Sequence, residues 1–257
     1  MKETTVVEKE KGELRNPFLI VGLPGLGLVG KIAVDYLSKQ LGAERLAELY
    51  SPHFAYYVIV TSKGSVRLLR SVFRYWRNDK GGNDLIFLTG DVQAQTVEGQ
   101  YEVADRILDY AAKRKVELVV TIGGYRKEAK DVPQVLASAT SQTLLTKALD
   151  AGARDCPSGN PIVGAAGLLL GLARFRDMDA VCLMVETQGY LPDPKAAKSV
   201  LSVIAKMLGF EVDLSGLDEE IYRSRKIEER MQKIEEQRRA LVRQRRKADE
   251  EKVSYIS

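Results

Sequence analysis

The segment GLPGLGLVGKIA, residues 22 to 33, constrains this chain more than any other stretch. It follows the short apolar run PFLIVG (17 to 22) and opens KIAVDYLSKQLG, in which Ile32, Tyr36, Leu37 and Leu41 recur at helical spacing. The fold therefore begins as a strand, a tight turn and a helix. The glycines let the backbone turn sharply and let another segment pack closely against it, and Pro24 stiffens the turn. The same residues satisfy two nucleotide-binding patterns. Gly25, Gly27 and Gly30 spell G-x-G-x-x-G, and Gly25, Gly30 and Lys31 spell most of a P-loop.

Neither pattern is complete. A P-loop needs Ser or Thr after the lysine, because that hydroxyl holds magnesium, and this chain has Ile32 there. The dinucleotide pattern has the right setting between strand and helix, but its ribose-binding acid belongs at the end of a second parallel strand, about 20 residues on. The candidates Glu44 and Glu48 precede a region that reads as antiparallel: YYVIVT and SVRLLRSVF, with Lys63 and Gly64 between them. Both readings argue against a bound nucleotide cofactor.

The rest of the chain alternates apolar strands with amphipathic helices. DLIFLTG (84 to 90), ELVVTIGGY (117 to 125) and DAVCLMVE read as buried strands. VEGQYEVADRILDYAAKR is a helix with Tyr101, Ala104, Ile107, Leu108 and Ala111 on one face, and SQTLLTKALDAGA is a helix closing at Gly152. PIVGAAGLLLGLARFR is an apolar, small-residue helix suited to the interior. DPKAAKSVLSVIAKMLG is a helix capped by Asp193, with Pro194 first and Gly209 at its end. This alternation predicts an α/β fold with a mixed, mostly parallel sheet flanked by helices.

Composition excludes several classes. A net charge of +4, with basic and acidic residues interspersed, gives no support for nucleic acid as a partner. The first residues, MKETTVVEKEKGELRN, are charged and lack the apolar core of a secretory signal, and no apolar run approaches the ~20 residues of a membrane span. A cytoplasmic protein without membrane contact is expected. Cys156 and Cys182 are too few for a metal cluster or a disulfide framework. A Ser-His-acid relay would have to use His53, the one histidine, which sits in YSPHFAYY, and no G-x-S-x-G elbow exists.

An enzyme reading stays open at one place. The crevice beyond the strand ends should gather Gly22 to Gly30, Gly90, Asp91, Gly123, Gly124 and Glu186. There Asp91 and Glu186 are candidate acids, and Arg126 or Lys31 candidate anion contacts, for a nucleoside, a nucleotide or another small ligand.

After Gly216 the composition changes. Residues 218 to 252 hold 12 Lys or Arg and 10 Asp or Glu, with Glu219 and Arg223, Glu229 and Lys233, and Glu235 and Arg239 at the favourable i, i+4 spacing. This predicts a long charged helix. Ile227, Met231, Ile234 and Leu241 give it a thin heptad seam, so it reads either as a solvated arm or as an inter-subunit coiled coil. The sequence ends in uncharged VSYIS. The chain thus divides into a charged segment (1 to 15), an α/β domain (16 to 216), a charged helical arm (217 to 252) and a tail (253 to 257).

GLPGLGLVGKIAVDYL (22 to 37), LTGDVQAQ (88 to 95), TIGGY (121 to 125), SGNPIVGAAGLLLGLA (158 to 173) and ETQGYLPDPKAAKSVLSVIAKMLG (186 to 209), in that order, resemble the proteasome assembly chaperone family of archaea and eukaryotes. The resemblance implies a fold similar to nucleoside phosphorylases without catalytic residues, cofactor or metal. It implies a homo-oligomer, taken as a tetramer, that binds the α subunits of the 20S proteasome through C-terminal tails without ATP. On that reading Val253, Tyr255, Ile256 and Ser257 are the proteasome-binding residues. Activators of this kind commonly carry tyrosine at the penultimate position; here Tyr255 stands one place earlier, so the match is partial.

Overall fold

A computed structural model describes residues 1–10, 12–127, 132–227 and 230. It divides the chain into two units, Met1–Leu214 and Ser215–Ser257. In chain order the first unit contains strand β1 (Thr5–Glu8), strand β2 (Phe18–Val21), helix α1 (Val29–Gln40), strand β3 (Glu44–Tyr50), and the short strands β4 (Val58–Val60) and β5 (Val66–Leu68). Then come β6 (Ser71–Trp76), β7 (Leu85–Gly90), α2 (Val97–Lys113), β8 (Leu118–Arg126), β9 (Val135–Ala139) and α3 (Gln142–Asp150). The two-residue β10 (Arg154–Asp155), α4 (Ala165–Phe175), β11 (Ala180–Thr187) and α5 (Pro194–Leu208) complete it. In the second unit residues 216–227 are helical. Most of the predicted arm, and all of the tail, lie outside the described residues.

The sheet has the order β1-β3-β6-β7-β2-β8-β11-β9-β10. Its centre, β7-β2-β8-β11, is parallel. Those four strands are the apolar runs of the sequence, because helices cover both of their faces. The flank running through β6 and β3 to β1 is antiparallel, and β9 returns antiparallel to β11. This is the mixed α/β architecture expected. Phe73 and Arg74, neighbours on β6, point to opposite faces. Phe73 meets Tyr110 of α2 at a ring-centroid distance of 4.7 Å, while Arg74 reaches towards Asp35 of α1 at 3.7 Å. Helices α2 and α4 pack together on the first face; α1, α5 and α3 pack in series on the second.

The helix ends follow the chemistry of the caps. The Thr96 hydroxyl accepts from the Gly99 amide, Ser141 from Leu144, and Asp193 from Ala196. Pro194 opens α5, and Gly209, at φ 72°, closes it in the left-handed conformation.

Three expectations are corrected. The run SVRLLRSVF is two strands: β5 pairs antiparallel with β4 in a separate hairpin, and the chain then crosses into the main sheet as β6. Tyr101 lies off the buried face of α2; Val103, Ala104, Ile107, Leu108 and Ala111 are buried, while Tyr101 is 52% exposed. Helix α4 is not interior. Only Ala165, Leu169 and Ala173, one line at i, i+4 spacing, are buried, and Phe175 is 85% exposed. The helix rests on the sheet along that line, and of the described helices only α2 flanks it closely.

The close approaches around the glycine segment set the tightest tolerance. A Cβ on Gly22 would collide with the Gly30 carbonyl, and one on Gly30 would stand 2.7 Å from the Ile122 carbonyl oxygen. Gly22→Ala should therefore cost about 3 kcal/mol or more, since backbone on the opposing side cannot step aside as a side chain can. At Gly171, on the exposed side of α4, an added Cβ meets nothing within 4 Å. Gly171→Ala should stabilise by about 0.5–1 kcal/mol. Chemical denaturation of both variants checks the pair.

Candidate functional site

Three strands of the parallel centre, β2, β8 and β11, end at one edge of the first unit, and the loops that follow them form a crevice there. Its cavity of ≈ 360 Å³ is lined by Val21, Leu23, Gly25, Ile122, Gly123, Gly124, Arg126, Val163 and Met184, among others. Gly25, Gly30, Gly123 and Gly124 thus converge as expected, whereas Gly90 is not in the lining and lies against Ser71 of β6. The glycine segments also approach each other closely beside the cavity: a Cβ on Gly124 would stand 2.7 Å from the Leu26 carbonyl oxygen.

Side chains latch the loops around the turn. Gln93 donates to the Pro24 carbonyl at 2.6 Å and accepts from the Ala165 amide at 3.1 Å, tying the loop after β7 to the glycine turn and to the start of α4. The Gly27 carbonyl accepts from the Asp193 amide at 2.8 Å. Asp193, while capping α5, also accepts from the Thr187 hydroxyl at 2.7 Å. Gln93, Thr187 and Asp193 therefore hold the crevice together. Sequence reasoning gave Asp193 only its capping role and missed the other two. Both lie within the segments that carry the family resemblance, which was the available signal.

Of the candidate acids and anion contacts, Arg126 lines the crevice, whereas Lys31, Asp91 and Glu186 are not in its lining and are held by partners of their own. Lys31 pairs with Asp35 one turn along α1 at 2.9 Å. Asp91 receives both guanidinium nitrogens of Arg67, at 2.6 and 3.0 Å, and the Arg70 amide at 3.0 Å. Burial pushes its carboxyl upward, but these bonds outweigh that and hold it below its ordinary value. Glu186, 1% exposed, accepts from Lys127 at 2.7 Å, the Gln134 amide at 3.0 Å and Tyr125 at 3.2 Å. There too burial is outweighed, and the group is held ionised. Burial, and then the Glu186 charge, raise the Tyr125 hydroxyl. Arg126 lies over the Tyr190 ring at 4.6 Å. Among the described residues the crevice lining includes neither Asp91, Glu186 nor any other carboxylate.

His53 belongs to a different assembly. Its Nε2 meets Glu102 at 2.9 Å, and the Ser51 hydroxyl accepts from the His53 backbone amide and from the Thr4 hydroxyl. No hydroxyl is presented to the imidazole by Ser51, so the three residues do not form a relay. The cluster fastens the residue before β1: the Thr4 amide donates to Glu102 at 2.6 Å. Hydrogen bonding by Thr4, and then by His53, lowers Glu102 to about 2 against the opposing effect of burial. Cys182 is fully buried in β11 and its thiol is pushed up to about 12 by burial, leaving it unreactive at neutral pH. The tail residues Val253, Tyr255, Ile256 and Ser257 lie outside the described residues.

Exposed apolar side chains gather in two further places. Tyr56, Tyr57, Val58, Val60, Val66 and Leu68 stand out on and beside the β4–β5 hairpin, and a second group lies around α2 and α4. Val97 and Tyr101 of α2, Val163, and Gly171, Leu172 and Phe175 of α4 are wholly or partly open to solvent. The groove between the two helices has a volume of ≈ 390 Å³.

Comparison with known proteins adds the family. Residues 19–235 match the PAC2 family. An uncharacterized protein of Methanocaldococcus jannaschii is 33% identical over 232 residues, covering 87% of this chain and 88% of that one. Among solved structures, Pyrococcus furiosus PbaB, an archaeal proteasome activator, superposes with a TM-score of 0.85 at 39% identity, covering 90% of this chain and 100% of that one. Pyrococcus furiosus PbaA, an archaeal homolog of proteasome-assembly chaperone, gives a TM-score of 0.75 at 29% identity, covering 95% and 98%.

The bonding of Glu186 has a checkable consequence. A carboxylate held below its unfolded value of ~4.3 adds stability that is fully present above that pH and is lost as the pH falls through the lower, folded value. Glu186→Gln should cost about 1–3 kcal/mol at neutral pH and should flatten the acid limb of the stability profile. Denaturation followed from pH 7 down to pH 2 measures both. A general acid at this position would instead titrate above its ordinary range.

Proposed function

This chain belongs to the PAC2 family, and on that premise we propose that it is a non-enzymatic factor that binds the α-ring of the 20S proteasome core without ATP, to assist its assembly or to activate it. The likeness to an archaeal proteasome activator, over that protein's full length, carries the reading. The site chemistry supports it. Lys31 is held by Asp35, Ile32 stands where a P-loop needs a hydroxyl, and Asp91 and Glu186 are saturated by their own partners. The glycine segment then serves as scaffold.

The contact element in this reading is the tail, with Val253, Tyr255, Ile256 and Ser257 as the inserted residues. A short apolar end on a charged arm suits a pocket between subunits: the arm supplies reach, Tyr255 buries a ring, and a terminal carboxylate pairs with a cation. One such contact is slight. Several presented together gain avidity through effective concentration, which requires a homo-oligomer, proposed as a tetramer. The uncovered apolar side of α4 supports self-association, since a contiguous apolar surface of this kind marks an interaction site. No described helix is long and apolar enough to cross a membrane, and the cytoplasm is the proposed location.

Binding to purified cognate 20S particles, followed by surface plasmon resonance, should be lost when residues 253 to 257 are removed; undiminished binding defeats the tail assignment. A second measurement addresses the body. Phe175→Asp should reduce the molar mass seen in light scattering to a smaller species and weaken 20S binding about tenfold or more through lost avidity. The small-ligand alternative predicts that a nucleoside, a nucleotide or phosphate raises the melting temperature, as any ligand of the native state must. We expect no shift.

A further inference from the structure

A second surface lies on the opposite face of the sheet from α4. Helix α5 buries Ala196, Ala197, Val200, Leu201, Val203 and Ile204 against the first unit and turns Lys195, Lys198, Ser199, Ser202 and Lys206 the other way. Those side chains form one wall of a groove of ≈ 620 Å³. Arg154, on the edge strand β10, adds a further cation, and Val132, Pro133 and Val135 give the groove an apolar side. Lys195, Lys206 and Arg154 are exposed, and none of the three makes an ion pair among the described residues. The described lining contains no carboxylate and no aromatic ring.

We propose that this groove binds an extended acidic peptide segment of a partner protein, with carboxylates on Lys195, Lys206 and Arg154 and alternate apolar side chains on the Val132 to Val135 side. Several like charges gathered around one concavity focus a field that attracts an anion. From Lys195 to Lys206 the helix rises about 16 Å, which an extended peptide covers in about five residues. The apolar side fits a chain whose side chains alternate in character. A single-stranded nucleic acid fits less well, because such sites rely on aromatic rings for base stacking and the described lining has none. The inference is independent of the tail: it stands or falls with this groove whether or not the chain binds 20S particles.

The test is fluorescence anisotropy with the full chain and a labelled hexapeptide alternating glutamate with leucine. Saturable binding is expected at about 50 mM salt, weakening as salt screens the charges. The exposed double variant Lys195→Glu/Lys206→Glu should raise Kd about tenfold or more while circular dichroism shows an unchanged fold. A peptide with glutamine in place of each glutamate should not bind. Equal binding by the double variant, or by the glutamine peptide, overturns the proposal. So does tighter, equally lysine-dependent binding of an oligothymidylate or of inorganic phosphate, which would assign the groove to another class of anion.

Discussion

Everything in the first unit depends on how near two backbones come where β2 leaves the sheet. Gly22, the first residue after the strand, lies against the carbonyl of Gly30 in the first turn of α1, and Gly30 in turn lies against Ile122 of β8. No side chain fits in either gap. Because the contact is backbone on backbone, α1 sits low on the parallel strands, and Val29, Ala33, Val34 and Leu37 reach full burial. Opening that gap by one methyl lifts the helix and loosens each of these side chains at once. Close packing of this kind tolerates little volume change.

The same closeness explains why a sequence with two nucleotide-binding patterns need bind no nucleotide. In a cofactor site the glycines clear space for phosphate at a helix N-terminus. Here the turn is braced by neighbouring segments: Gly27 is tied to Asp193, Pro24 to Gln93, and Gly124 touches Leu26. Electrostatics points the same way. A catalytic carboxylate is usually poised near its working pH by incomplete solvation or by a like charge. Asp91 and Glu186 are instead held ionised by guanidinium, ammonium and amide donors.

Much of this was legible in the sequence. Apolar runs ending in glycine marked β2, β7 and β8, and the order Asp193, Pro194 and Gly209 marked both ends of α5, because caps are local chemistry. Strand β3 was not legible. Its ERLAELY carries Glu48, which looks solvent-directed yet is buried, receiving Arg45 at 3.0 Å, Arg70 at 2.6 Å and Tyr50 at 2.9 Å. Two of those partners lie on the strand itself, but burial depends on Arg70, more than twenty residues away, and on the pairing with β6. Helix α4 failed in the opposite sense: composition records that a surface avoids water, not which molecule covers it. The bond from Gln93 to Pro24 joins residues that only the fold brings together.

The two interaction surfaces differ in the physics they can use, and that difference separates their roles. The side of α4 that carries Gly171 and Phe175 is apolar, so its association gains from burial with little dependence on salt. It suits a contact that stays made. The α5 groove gathers like charges, so its attraction is long-ranged, fast and weakened by salt. It suits a contact that forms and releases. Lying on opposite faces of one sheet, they can be occupied together. A copy bound through α4 leaves its α5 groove open, so an assembly joined along α4 would present one groove for each copy. In such an oligomer these repeated grooves would give a partner with matching acidic segments a multivalent contact whose chemistry differs from that of an apolar tail.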